Sequence, residues 1–226
     1  MTNNLDEAGW KAQLDSGAQE LGVELDQSAL EILWRYGVML RERNEHVNLT
    51  SIVSPLGILQ LHMLDSLTLV PHLGDARRII DVGTGGGFPG IPLAVAQPQR
   101  QFTLIDGTQK KIRFVAESIA ALDIRNARAH AARAESYDGE KDFDLVVVRA
   151  VGSLADVLHN AGHLVGPGGR LLAMKGRLND DEISAVPRGW SGEVFSLRVP
   201  GLDAERHLVA LSRHKSSAAP RKKLEE

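Results

Sequence analysis

The 226-residue chain predicts an α/β fold: a seven-stranded, mostly parallel sheet that ends in an antiparallel hairpin, with a helical appendage at the N-terminus. Three observations predict it. From Arg77 onward, short β-branched runs alternate with helical stretches, which is the texture of βαβ units. A glycine-rich run, Gly83 to Gly90, directly follows the first of these strands. The last two strands are joined by a connection too short for a crossover, so they can pair only antiparallel.

The elements follow in order. Leu30, Leu33, Trp34, Gly37, Val38 and Arg41 recur at helical spacing after Asp26, which is placed to cap the helix. Ser54 and Pro55 then form a cap and first-turn proline, and Leu56, Leu59, Met63 and Leu67 continue the spacing until Pro71. The first 70 residues therefore read as helical. Strands are expected at Arg78–Val82, Phe102–Asp106, Ala127–Ala131, Phe143–Arg149 and Gly169–Met174, with crossover helices between them. Glu193–Val199 and His207–Arg213 form the hairpin around Pro200, Gly201, Leu202 and Asp203. The expected domains are a helical extension over 1–76, a core over 77–213 and a basic, disordered tail over 214–226.

Composition narrows the chemistry. With 43% hydrophobic and 24% charged residues the chain is an ordinary globular protein, long enough to bury about 70% of its unfolded surface. It has no cysteine, which excludes disulfides, cysteine zinc sites, iron–sulfur clusters and thiolate catalysis, and fits a reducing cytoplasm. No apolar run is long enough to span a membrane, and MTNNLDEAGW is no export signal. The net charge of -3 is unevenly placed, with an acidic first segment and a basic end. Any nucleic-acid contact must therefore come from a local patch. The tail, SSAAPRKKLEE, reads as a solvated segment with phosphate contact as its alternative. His159 and His163 stand four apart, a metal-ligand spacing, but no third ligand accompanies them and no metal is expected.

The informative stretch is Ile79 to Gly90, IIDVGTGGGFPG. Glycines at such a turn let a ligand approach the backbone at the carboxyl edge of the sheet, and Asp106 ends the second strand, placed for ribose hydroxyls. A dinucleotide site wants glycine at the sixth position of its fingerprint, where this chain has Phe88 and then Pro89, so pyrophosphate binding is disfavoured. S-adenosylmethionine carries no phosphate. It needs a loop that admits its methionine portion and an acid near the strand end, which Asp81 supplies. The terminal hairpin agrees with a class I, Rossmann-like methyltransferase fold.

At this point the sequence resembles the bacterial small-subunit ribosomal RNA methyltransferase G family, also called glucose-inhibited division protein B. The resemblance spans nearly the whole chain. It rests on Asn48-Leu49-Thr50, His62 with Asp65-Ser66, DVGTGGGFPGIPLA from Asp81 to Ala94, Arg133-Ala134-Glu135, Phe143-Asp144 running to Arg149-Ala150, Met174-Lys175-Gly176 and Glu205-Arg206-His207-Leu208. Two positions depart from the pattern. The family more often has alanine at Gly86, and serine at Gly107, where a second ribose partner would stand.

The resemblance implies methyl transfer from S-adenosylmethionine to N7 of a guanine in 16S ribosomal RNA, with free RNA or the small subunit as partner and no obligate protein partner. Guanine N7 has an in-plane lone pair and no proton, so alignment and electrostatics suffice. The sequence agrees by what it lacks: no cysteine for pyrimidine C5 methylation, and Val148-Arg149-Ala150 where an exocyclic-amine enzyme would carry Asn/Asp-Pro-Pro-aromatic. The expected cofactor residues are Gly83 and Phe88 in the loop, Asp106 at the ribose, Ala134 and Glu135 at the adenine, and Arg149, which is also the candidate catalytic residue. Candidate RNA contacts are Lys110, Lys111, Arg113, Lys175, Arg206 and His207. Asn48, His62 and Asp65 are expected to fasten the appendage to the sheet. The alternatives are a methyltransferase with another substrate and a non-catalytic nucleotide or S-adenosylmethionine sensor.

Overall fold

The computed structural model describes residues 6–149, 152–178 and 180–213. Ala150 and the basic tail lie outside them. The sheet has seven strands, β1 (Arg78–Val82), β2 (Gln101–Asp106), β3 (Ala127–Ala131), β4 (Phe143–Arg149), β5 (Val165–Lys175), β6 (Trp190–Leu197) and β7 (Arg206–Arg213), in the order β3-β2-β1-β4-β5-β7-β6. β3 to β5 pair in parallel, and β7 enters antiparallel between β5 and β6. The order reverses beside β1, so the ends of β1, β2 and β4 open a crevice at the carboxyl edge.

Before the sheet come α1 (Glu7–Glu20), α2 (Gln27–Asn44), α3 (Pro55–Ile58), a π-helical turn (Leu59–Leu64) and α4 (Asp65–Leu67). Side-chain caps start α1, α2 and α3: Asp6 accepts from Gly9 N, Asp26 from Ala29 N and Ser54 from Gly57 N. Later come α5 (Gly90–Ala96), α6 (Gln109–Ala121), α7 (Leu154–Ala161), opened by a Ser153–Asp156 capping box, and α8 (Asp180–Ser184).

Alternation along the strands divides the core in two. Ile79, Leu104, Leu145, Val147 and Leu172 face α5, α6 and the N-terminal helices. Ile80, Ile105, Val146, Val148 and Leu171 face α7. The N-terminal helices thus share one continuous apolar cluster with a sheet face.

Two sequence expectations are corrected here. α2 buries Ala29, Leu30, Leu33, Tyr36, Gly37 and Leu40, while Trp34 and Val38 are half-buried and Arg41 is exposed. The face is rotated because α2 packs on the glycine loop through Tyr36, and Trp34 instead meets Trp10 edge-on at 5.4 Å. β5 begins at Val165 rather than Gly169, and its register against β4 jumps between Phe143 and Leu145. Gly166 and Gly169 lie so close to the 142–144 backbone that no side chain fits at either.

Candidate active site

The glycine loop is held from three sides. Gly83 and Thr84 N–H both donate to Ile105 O, and Gly85 N–H donates to Asp106 Oδ2 at 2.9 Å. Asp81, 1% exposed, accepts on Oδ2 from Thr84 Oγ1 at 2.6 Å and Gly90 N at 2.8 Å, while its Oδ1 is buried without a partner. Burial pushes the Asp81 carboxyl up to about 6. Tyr36 donates its hydroxyl to Gly86 O. Glycine is required at two of these positions. Gly87 has φ +89° and a Cβ there would strike Tyr36 Oη; one on Gly90 would meet Asp81 Oδ2 and Leu104 at 2.7 Å.

Beside the loop lies a cleft of about 230 Å³, lined among others by Gly83, Asp106, Ala134, Glu135, Val148 and Val157. Asp106 also takes Thr108 N–H at 2.7 Å on Oδ1. An ionised carboxylate has about four acceptor sites, so two remain for hydroxyls. Apolar walls, a glycine edge and rim carboxylates suit a nucleoside without phosphates.

A second cavity, about 410 Å³, opens on the other side of β4 and is lined by Arg149, Lys175, Arg206 and His207 together with His62 and Asp65. Arg149 Nη1 reaches Leu61 O at 3.2 Å and His62 Nδ1 at 3.3 Å, lies 3.7 Å from Asp65 Oδ2, and its guanidinium sits 5.4 Å over the Phe88 ring. A guanidinium only donates, so His62 Nδ1 accepts and its Nε2–H donates to Thr50 Oγ1 at 2.8 Å. Burial, with Arg149 next in effect, pulls His62 down to about 3, so it is neutral. The buried Asp65 carboxyl is raised by burial, opposed by Arg149 and then Arg206. Burial likewise lowers Arg149, opposed by Asp65 and Asp81.

The sequence candidates therefore separate. Gly83, Asp106, Ala134 and Glu135 meet in the cleft. Phe88, expected at the cofactor, is 2% exposed and absent from the cleft lining. It stacks on His62 at 4.3 Å and packs on Tyr36. Arg149, also expected at the cofactor, lines the second cavity instead. Both differences have one cause: the π-helical turn brings His62 and Asp65 over the end of β4 and takes these two side chains as partners. Of the RNA candidates, Lys175, Arg206 and His207 line this cavity, whereas Lys110, Lys111 and Arg113 lie at the start of α6 and do not. Lys175 is paired with Glu182 at 2.7 Å. His159 lies in α7 and His163 in the following 3₁₀ turn, and Asn48 is exposed outside both cavities. Gly107 lies under the Arg133 side chain, 3.0 Å from where its Cβ would be.

The sequence matches the profile of the family described as rRNA small subunit methyltransferase G, GidB, over residues 29–209. The chain belongs to that family. Similar proteins named ribosomal RNA small subunit methyltransferase G include one from Xanthomonas oryzae pv. oryzae (strain MAFF 311018), 44% identical over 87% of this chain and 94% of its own length. Another, from Ralstonia nicotianae, is 41% identical over 91% of this chain and 96% of its own. Among solved structures, the S-adenosylmethionine-dependent methyltransferase SibL in its apo form matches with TM-score 0.55 at 20% identity, covering 71% of this chain and 56% of that one. A SAM-dependent methyltransferase from Aquifex aeolicus matches with TM-score 0.51 at 15% identity, covering 69% and 92%. The fold is the Rossmann-like class I methyltransferase fold. As a member of methyltransferase family G, the protein is an rRNA small-subunit methyltransferase with S-adenosylmethionine as methyl donor. Among the described residues, no helix is long and apolar enough to cross a membrane.

Tyr36 was not legible as a site residue, because its partner Gly86 is 50 positions away. His62 and Asp65 did carry a signal: they are the two ionisable groups in a helical run built on Leu59, Leu61, Met63, Leu64 and Leu67.

Proposed function

We propose that this chain methylates N7 of one guanine in 16S rRNA of the small ribosomal subunit, using the cleft for S-adenosylmethionine and the Arg149 cavity for RNA. The observation that carries the reading is that consecutive residues of β4 line the two cavities, Val148 the cleft and Arg149 the other. A donor and an acceptor on opposite sides of one strand end can meet across it.

Gly83, Asp106, Ala134 and Glu135 would hold the cofactor, with Asp106 accepting from ribose hydroxyls and Glu135 from the adenine amine. When bound, S-adenosylmethionine supplies an electrophilic methyl carbon on a sulfonium. Attack by the guanine N7 lone pair would form the N–C bond as the C–S pair stays with sulfur, and because no proton would leave the base, the residues of the site are asked to align and not to deprotonate. The RNA cavity is consistent with chemistry that asks for no base. Asp65 is engaged by two arginines, His62 is neutral with Nδ1 turned to Arg149, and Lys175 is paired. Arg149 would hold guanine O6 or a phosphate rather than N7, since a donor there would occupy the attacking lone pair. Arg206 and His207 would take neighbouring phosphates, with Lys110, Lys111 and Arg113 reaching RNA on the α6 side. The reaction needs no metal, and its substrate places it in the cytoplasm.

Tritiated methyl transfer from labelled S-adenosylmethionine to 16S RNA, small subunits and bulk protein in parallel tests this. Label should enter RNA in one or both RNA arms. Label confined to protein, or no transfer despite cofactor binding, would favour another substrate or a sensor.

A further inference from the structure

The Arg149 cavity is assembled from three distant parts of the chain, and one carboxylate joins them. Asp65, 5% exposed, accepts on Oδ1 from Arg206 Nε of β7 at 3.0 Å, and its Oδ2 lies 3.7 Å from Arg149 Nη1 at the end of β4. The π-helical turn adds a second hold. Asp65 N–H is shared between Gln60 O, five residues back, and His62 O, three back, instead of going to Leu61 O as a regular α-helix requires. Leu61 O accepts from Arg149 Nη1 instead. His62 Nδ1 faces the same nitrogen and Phe88 lies beneath the guanidinium. Three of these four restraints come from one turn of the N-terminal segment. Among the described residues no hydrogen bond uses Arg149 Nε or Nη2, which leaves that side of the planar fork for a ligand.

Charge makes the arrangement more than a brace. Two guanidiniums lining one cavity repel each other, and a carboxylate between them reduces their combined charge to +1 and fixes their separation. A ligand atom then meets an Arg149 whose direction is set before binding, which is the condition for alignment to contribute to rate.

We propose that Asp65 is a positioning residue for methyl transfer, aiming Arg149 through the π-helical turn and fixing its spacing from Arg206, so that the helical N-terminal segment forms part of the RNA site. This rests on the reading of that cavity as the RNA side. The test is single-turnover methyl transfer to small subunits by full-length protein, with Asp65→Asn and Asp65→Ala placed in the wild type and Asp65→Asn also in Arg149→Lys. Asparagine keeps the shape should the alanine variant fail to fold. In the wild-type background, Asp65→Asn should slow transfer at saturating subunit about ten-fold, while S-adenosylhomocysteine affinity stays within about two-fold. In Arg149→Lys it should add less than about three-fold, because Asp65 acts through Arg149. Full multiplication of the two effects, a wild-type effect under about three-fold, or an equal loss of S-adenosylhomocysteine affinity would each overturn the proposal. If the wild-type protein labels no RNA at all, the functional reading itself has failed and takes this inference with it.

Discussion

Asp81 and His62 are buried close enough to Arg149 to feel its charge, and the fold moves their protonation in opposite senses. His62 has its folded value near 3 against 6.5 for the unfolded chain, so between those values the unfolded state binds more protons and stability falls as pH drops. Asp81 has its folded value near 6 against 3.8, so between those values the native state binds more protons and stability rises as pH drops. The two slopes oppose each other between about pH 4 and 6. Urea unfolding from pH 7 to 4 should therefore show a steeper acid loss in Asp81→Asn than in wild type, and a shallower loss in His62→Gln. Equal slopes in all three would mean that neither group is buried as described. At the cleft rim, Glu135 is exposed, so the proposed contact with the adenine amine should contribute modestly. Calorimetry on Glu135→Ala should show S-adenosylhomocysteine binding weakened by about 1 kcal/mol, roughly five-fold. An unchanged dissociation constant would remove Glu135 from the site.

The glycine loop is where single positions decide an element. Gly86 would place a Cβ 3.2 Å from the flexible end of Leu40, whereas a Cβ on Gly87 would strike the Tyr36 hydroxyl. Gly86→Ala should change unfolding stability by no more than about 0.5 kcal/mol, and Gly87→Ala should cost about 2 kcal/mol or more. Thermal or urea unfolding separates them, and equal behaviour would contradict the loop geometry. The loop was legible in sequence because glycine placement is a local demand of the backbone. The strands were legible for a similar reason: short apolar, β-branched runs such as Phe143–Arg149 suit a strand buried on both faces, and the short 200–203 segment permits only a hairpin. The rotated face of α2 was not, since Trp34 and Tyr36 both suit a buried face and only the tertiary partner chooses between them. The π-helical turn was equally silent, because a five-back hydrogen bond leaves no residue signature. Its consequence, the grouping of Asp65 with Arg149 and Arg206, joins positions up to 141 residues apart, and no local pattern encodes that.

At the scale of the whole molecule, a sheet whose strand order reverses beside β1 provides the cleft, and a helical segment laid over one face closes a second cavity around the end of β4. The net charge of -3 gives no general attraction for RNA, so the proposed recognition rests on local cations, those around that second cavity and those at the start of α6. On the proposed function, the product is 7-methylguanine. Methylation there fixes a positive charge on the imidazole portion of the base, which then opens on reduction and lets aniline cut the chain. The most direct measurement is therefore to incubate small subunits or 16S RNA from cells lacking this activity with the purified protein and S-adenosylmethionine, then reduce, treat with aniline and map the ends by primer extension. One new cleavage at a single guanine, lost in Arg149→Ala protein that still folds, is the predicted result. Label incorporated into the RNA with no aniline-sensitive guanine would contradict it and place the methyl group on another atom.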